Sequence, residues 1–303
     1  MNLRHLRCFI AVAEELHFGR AARRLHMEQS PLSRTIRGLE TDLGVMLLER
    51  TPRIVRLTLA GQVFLEDARR VLLAFDQAQT NARAVAAGHR GTLRIALSDD
   101  IGQMRLSALL ALCREEAPGV GIRLFETPLT QLVSGLNLDL YDVGFALTGE
   151  VDPGVVAMPV WQDPLVVAVP ARHPLLAHKQ VPLEEVVSYP LVLCHPQVCE
   201  GCNRQLERLL RTVEARPVVA EYVKTHALML ALVAAGYGVG FSSAAHLAAC
   251  RQTDVIARPL ANASAALTTY LLRPERDITE PLQHFIERVQ RVGHIPLDMR
   301  QSE

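Results

Sequence analysis

Three clusters of side chains have the types and spacing for chemistry. Cys194, His195, Cys199 and Cys202 form a C-x4-C-x2-C run with an adjoining imidazole. Thiolates of this kind take soft metals, and a thiol at a helix N-terminus is acidified and oxidises readily. A zinc site needs a fourth ligand at suitable spacing, and His195 follows Cys194 too closely to supply it easily, so metal, redox and inert-thiol readings all stand. The second cluster is Gly236-Tyr237-Gly238-Val239-Gly240-Phe241-Ser242, with Ser243 and His246 beyond it. These glycines follow a helix pattern and enter a strand pattern, the reverse of a nucleotide-binding turn, and neither serine sits in the strained elbow that a nucleophile needs. The stretch reads as a helix stop, and no catalytic activity is expected. The third cluster is Gln29-Ser30-Pro31-Leu32-Ser33-Arg34-Thr35-Ile36-Arg37. Short hydroxyls and guanidinium groups at the start of a helix match phosphate oxygens and the acceptor edge of guanine.

The elements that must position this third cluster are legible around it. Leu32, Ile36, Leu39 and Leu43 fall on one stripe of a helix, while Ser30, Arg34, Arg37 and Thr41 fall on the other side. Leu3, Leu6, Phe9, Ile10 and Ala13 predict a first helix over 3–16, and 20–25 predicts a second, whose Ala21 and Ala22 let the next helix cross closely. This is a helix-turn-helix, and Gly44 is its stop. The alternation over 47–57 predicts a two-stranded wing that carries Arg50, Arg53 and Arg56 to phosphate backbone or minor groove. Gln29, Ser30, Pro31, Ser33, Arg34 and Arg37 are the expected contacts to double-stranded DNA.

Leu3-Arg4-His5-Leu6, Phe9, Ala21-Ala22, Gln29 to Ser33, Leu39-Glu40, Leu43-Gly44, Leu48-Glu49-Arg50, Thr58 and Gly61 together resemble the LysR-type transcriptional regulators, and the branch controlling aromatic-compound degradation in particular. The resemblance runs more loosely to about residue 292. It implies a winged helix-turn-helix over 1–58, a linker and dimerisation helix over 59–87, a hinge at 88–91 and an effector-binding domain over 92–303. That domain is of the two-lobed α/β, periplasmic-binding-protein-like kind, making the chain α+β as a whole, with lobe I at about 92–161 and 268–303 and lobe II at about 162–267. The family usually starts its second helix with serine or threonine, where this chain has Gly19, which offers no side-chain acceptor as a cap.

Charge supports the division. The 32 basic and 32 acidic residues cancel overall, but residues 1–90 contain 14 Arg and no Lys against nine acids, leaving the front of the chain positive and the back equally negative. A charged start with an apolar run behind it is not seen, nor is a stretch long enough to span a bilayer, so a cytoplasmic protein without membrane contact is expected. Six scattered cysteines do not suggest structural disulfides. Phe64, Ala68, Val71, Phe75, Ala78, Ala82 and Val85 follow offsets of four and three, the rule for a two-helix seam, and predict a dimer. Packing of this stripe on its own chain is the competing reading.

From Thr92 strands and helices alternate: strands at 92–98, 120–126 and 142–147, helices at 102–116 and 129–138, then strands at 165–169, 191–193, 218–223 and 239–241 with a helix at 227–235, and a return to lobe I near Leu267. Ligands gather beyond strand ends, near helix N-termini. The family's pocket, carried over by position, falls on Ser98, Asp99, Asp100, Thr127, Leu129, Thr130, Leu147, His195, Thr225 and His226, although Ser98, Asp99 and Thr225 read equally well as helix caps. The branch tends to use an arginine where this chain has Leu147, and two acids at 99 and 100 repel an anion; a neutral, aromatic or partly cationic effector fits better than a dicarboxylate. Relatives that sense peroxide through lobe II cysteines give Cys194, Cys199 and Cys202 a redox alternative. No cofactor is expected, and a homodimer or homotetramer, promoter DNA, a small-molecule effector and RNA polymerase are the expected partners.

Overall fold

The computed structural model describes residues 1–50, 55–86, 91–99, 101, 103–250, 253–261 and 265–293. The chain divides into two compact units, 1–87 and 88–303.

In the first unit, α1 (Leu3–Glu15) is started by Asn2, whose side chain accepts from the His5 N–H. The second helix, α2 (Phe18–Arg24), begins earlier than expected. Gly19 is not its cap: the His17 ring takes that role, with Nδ1 accepting from the N–H groups of Gly19 and Arg20 at 3.0 and 3.2 Å. An imidazole lone pair thereby does the work of the missing hydroxyl. The third helix, α3 (Gln29–Leu43), stops at Gly44 in the left-handed region, with φ 71°. The wing follows as β1 (Leu48–Arg50) antiparallel to β2 (Val55–Leu57), with Glu49 opposite Arg56, and then α4 runs from Leu59 to Ala86. Phe9, Val12, Ala21, Ala22, Leu32, Ile36, Leu39, Leu47 and Ala68 form one buried core, and the two alanines admit α3 as the sequence predicts. Thr58 caps α4, accepting from the Gly61 N–H at 2.9 Å, and donates to the Met46 carbonyl. A side chain on Gly61 would meet the Leu47 carbonyl, so the wing and α4 can close only over glycine.

In the second unit, β3 (Gly91–Leu97), β4 (Val120–Glu126) and β5 (Val143–Ala146) are parallel, with α5 (Gln103–Glu116) and α6 (Leu129–Asn137) as crossovers. Gly91 is thus the first residue of a strand, and the rest of the expected hinge lies outside the described residues. The expected passage between lobes at about 162 falls inside a single strand, β6, of 16 residues, Val155–Pro170. Pro159 and Pro164 interrupt its alternation, which is why the sequence shows only its second half. Later elements are α7 (Leu183–Val186), β7 (Leu191–Cys194), α8 (Glu200–Leu210), β8 (Val219–Val223), α9 (His226–Ala234), β9 (Gly240–Ser243), α10 (Ala244–Cys250), β10 (Val255–Pro259), β11 (Ala266–Pro274) and α11 (Glu280–Gly293).

The first part of β6 and β11 complete the lobe I sheet as antiparallel members in the order β6-β11-β5-β3-β4. Lobe I is therefore mixed rather than wholly parallel. The second part of β6 enters lobe II, where β9 and β10 flank it and the parallel pair β7 and β8 joins through a bridge from Leu191 to Val239. Lobe I closes on Phe145, stacked on Trp161 at 5.0 Å, with Phe285 edge-on to Phe145. A buried pair that sequence patterning does not show, Arg105 with Asp163 at 3.1 Å, ties α5 to β6, and the same guanidinium donates to the Val292 carbonyl. Lobe II closes on Val167, Val169, Val181, Leu191 and Val239.

Candidate functional site

On the first unit, Leu32, Ile36 and Leu39 anchor α3 in the core, leaving the opposite side of the helix outward. Gln29, Ser30, Ser33, Arg34 and Arg37 line one open concavity on that side, and Gln29, Ser30, Arg34 and Arg37 are exposed, with Pro31 half-buried beside them. The geometry gathers hydroxyl donors and two guanidinium groups along a single edge of the helix, the groups that reading a DNA groove calls for. Of the three expected wing arginines, Arg56 is exposed and Arg53 lies outside the described residues. Arg50 is a correction: its guanidinium pairs with Glu40 and lies 5.2 Å over the Phe18 ring, so it braces the wing. Glu40 is itself buried on α3 and accepts from the Leu47 and Leu48 N–H groups at 3.0 and 3.1 Å. One carboxylate thus fixes where the wing leaves the helix.

The seam on α4 divides in two. Phe64 and Ala68 pack on their own unit, Phe64 5.3 Å from Phe9 and Ala68 buried, because the first turns of α4 lie on α1. Val71 and Phe75 are 49% and 38% exposed, Ala78 and Ala82 are exposed, and the side chain of Val85 lies outside the described ones.

In the second unit the positions expected to meet an effector separate. Thr225 caps α9, accepting from the Leu228 N–H at 3.2 Å. His195 caps its own turn through Nδ1, which accepts from Gln197. Thr127 bonds Gln131, Thr130 is exposed and Leu129 is core; Asp100 lies outside the described residues. The Ser98 hydroxyl is buried with no partner among the described residues. Asp99 is held at φ 60°, and its carboxylate is already engaged: one oxygen accepts from Leu147 N–H at 3.1 Å, the other from Gly201 N–H at 2.9 Å and Cys202 N–H at 3.4 Å. An internal carboxylate therefore occupies the N-terminus of α8, where a helix dipole would otherwise draw an anion. Burial pushes the Asp99 carboxyl above its ordinary range, against those backbone donors, and Glu200 pushes the same way. Gly201 is required there, since a Cβ would fall 2.5 Å from the Asp99 oxygen. Nearby, Gln205 donates to the carbonyls of Leu147 and Thr268 at 2.5 and 2.7 Å and accepts from the Thr268 N–H, while Glu150 pairs with Arg204 and Arg208.

Leu147 and His226 do come together, on a cavity of about 50 Å³ in lobe II that also has Cys194, Cys199, Cys202, Ser242, Ser243 and His246 on its walls. Such a volume holds a few waters rather than an aromatic ring. The three thiols line the cavity without gathering as a metal triad; the one group of three ligating side chains among the described residues is His226, His246 and Cys250. Cys199 stands at the start of α8, the helix end that the Asp99 carboxylate occupies. His226 is held at about 3 by burial and by the His246 ring 3.9 Å away, and is neutral at physiological pH. Sequence reading missed Glu40, Gly201, Gln205 and Cys250. Only the last left a trace, the i, i+4 spacing of His246 and Cys250 on one helix face.

A winged helix-turn-helix with a ridge of serine and arginine, borne by the same chain as a two-lobed α/β ligand-binding fold, defines a ligand-responsive DNA-binding regulator. Bacterial regulatory helix-turn-helix proteins of the lysR family match residues 3–62, and the LysR substrate binding domain matches residues 86–293. The chain is 36% identical to the uncharacterized HTH-type transcriptional regulator YnfL of Escherichia coli (strain K12), over 79% of this chain and 81% of that one. It is 33% identical to the HTH-type transcriptional regulator AlsR of Bacillus subtilis (strain 168), over 80% of each. Full-length CbnR complexed with its target DNA superposes with a TM-score of 0.74 at 29% identity, covering 96% of this chain and all of that one. The chain belongs to the LysR family of transcriptional regulators, with a DNA-binding helix-turn-helix and an effector-binding domain. Among the described residues no helix is long and apolar enough to cross a membrane.

Proposed function

We propose that this regulator grips a pseudo-palindromic promoter site as a homodimer, or as a homotetramer built from two such dimers, in the cytoplasm, and turns over no substrate. Gln29, Ser30, Pro31, Ser33, Arg34 and Arg37 enter the major groove on α3, and Arg53 and Arg56 hold backbone or minor groove. The observation that carries this reading is the shared concavity of five of those side chains over a core-anchored helix. CbnR is a relative of the same build captured on its target DNA. Val71, Phe75, Ala78 and Ala82 of α4 meet a second copy, and RNA polymerase is the downstream partner.

A small molecule admitted between the lobes biases the regulator, and it does so only by favouring one lobe arrangement over another, since equal affinity for both shifts nothing. With Asp99 seated at the α8 N-terminus, a neutral or partly cationic molecule enters more readily than a dicarboxylate. The resemblance to regulators of aromatic-compound degradation directs the first screen to aromatic compounds. Footprinting of the promoter region beside the regulator's own gene, with and without such compounds, tests both halves. A protected, dyad-related pair of half-sites whose pattern changes with one compound is the expected result. Equal affinity for genomic and random duplex at moderate ionic strength would end the proposal.

A further inference from the structure

His226 opens α9, while His246 and Cys250 stand one turn apart on the same face of α10, and the ligating atoms of all three lie within 4.8 Å of one another. Both ring nitrogens of His226 are buried and without hydrogen-bond partners among the described residues. Orphaned polar atoms are costly in a protein interior, and two in one side chain are an arrangement explained when an ion or water occupies the site. Directly beside it lies a cavity too small for an organic effector but ample for an ion and a water.

We propose that His226 Nδ1 or Nε2, an imidazole nitrogen of His246 and the Cys250 thiolate form a binding site for a borderline-soft divalent metal, zinc(II) foremost. Two imidazoles and one thiolate are the donor set such ions select over magnesium or calcium, which want oxygen. Tetrahedral zinc, with bonds of about 2.0–2.3 Å, sets neighbouring donors roughly 3.3–3.8 Å apart, so the three side chains need to close by about 1 Å, within reach of rotamer adjustment. On binding, Cys250 gives up its proton to solvent, and one of the two orphaned His226 nitrogens gains a partner. Three protein donors leave a fourth position for water or for a donor atom of an incoming molecule. Its ligands do not include Cys194, Cys199 and Cys202, whose thiols line the same cavity without gathering. It goes beyond the effector reading and does not depend on it.

The test uses the full-length, thiol-reduced protein and cobalt(II) as an optical probe, followed by displacement with zinc(II). One cobalt per chain is expected, with a thiolate-to-cobalt charge-transfer band that one equivalent of zinc removes. Cys250→Ser should abolish the band, and His226→Ala should weaken binding by about tenfold or more; both variants should fold, since Cys250 is exposed and the His226 nitrogens hold nothing in place. Cys199→Ser should keep the band. The proposal is overturned by failure of the folded wild type to take up stoichiometric metal, by a band that survives Cys250→Ser or vanishes in Cys199→Ser, or by undiminished affinity in His226→Ala. Footprinting of the same preparations, metal-free and zinc-loaded, keeps this outcome apart from that of the promoter-binding reading.

Discussion

Arg34 and Arg50 lie on the same unit and carry the same charge, yet their surroundings assign them opposite tasks. Arg34 is exposed on the concave edge of α3, whereas Arg50 is pinned between Glu40 and the Phe18 ring. Arg34→Ala should leave unfolding unchanged and weaken binding to every duplex, lowering the slope of log affinity against log salt by about one if it meets phosphate. Arg50→Ala should reduce stability by about 1–3 kcal/mol, because Glu40 is left buried with one oxygen uncompensated. Urea melts beside salt titrations separate the two, and a pure DNA defect in Arg50→Ala would contradict the bracing role. Asp99 gives a pH signature. Its carboxyl is raised in the folded state by burial, so the stability it contributes is complete below its ordinary 3.8 and is lost as pH climbs through the raised value. Relative to the non-titrating Asp99→Asn, the wild type should therefore lose stability as pH rises from about that ordinary value, and a wild-type urea midpoint that holds or rises relative to the variant over that range would refute the assignment.

The helix-turn-helix was readable because its helices bury one stripe each: α3 obeys the spacing of Leu32, Ile36 and Leu39, and the wing strands obey alternation. What patterning could not reveal were features made by partners distant in sequence. His17 replaced the expected cap by turning its ring back on the chain, β6 ran through two prolines, and Asp99 reached Gly201 on another lobe. Of the effector set, Leu147 and His226 reach the cavity, because a position carried over from relatives fixes the backbone and not where a side chain turns. The α4 seam shows the same division within one helix, with its start committed to α1 and its later turns exposed. Charged substitutions on those later turns, Val71→Glu with Phe75→Glu, should shift sedimentation toward monomer at fixed protein concentration while leaving the helix-turn-helix core folded. Phe64→Ala should instead destabilise the unit by about 1–3 kcal/mol, less than a fully buried aromatic because Phe64 is half-buried. Unaltered sedimentation of the double variant would return the seam to intrachain packing.

In the second unit, the lobes are fastened where α8 meets the ends of β5 and β11, and the fastening decides whether a molecule larger than a few waters can enter. Exposed pairs such as Glu150 with Arg208 contribute little there, since solvent screens them. The Gln205 amide, bonded to Leu147 and Thr268, and the Asp99 carboxylate, bonded to Leu147, Gly201 and Cys202, are more sheltered and more costly to break. Each lost bond is worth about 0.5–1.5 kcal/mol, so removing the Gln205 set should raise the population of the parted state by roughly one to two orders of magnitude, as about 1.4 kcal/mol corresponds to tenfold. Amide hydrogen exchange reads this directly, because the Leu147 and Gly201 N–H groups are covered only while Asp99 is seated. Gln205→Ala should accelerate exchange at both amides by ten- to a hundredfold, with Val167 and Val239 in the lobe II core unaffected, and Glu150→Gln should change it less than about threefold. Gly201→Ala should go further, since the added methyl group takes the space of the Asp99 oxygen and overpacking of this kind costs about 1–3 kcal/mol. Acceleration confined to those two amides would locate the gate at α8. Acceleration spread evenly through lobe II would instead mean that Gln205 supports the whole lobe, and that the gate lies elsewhere.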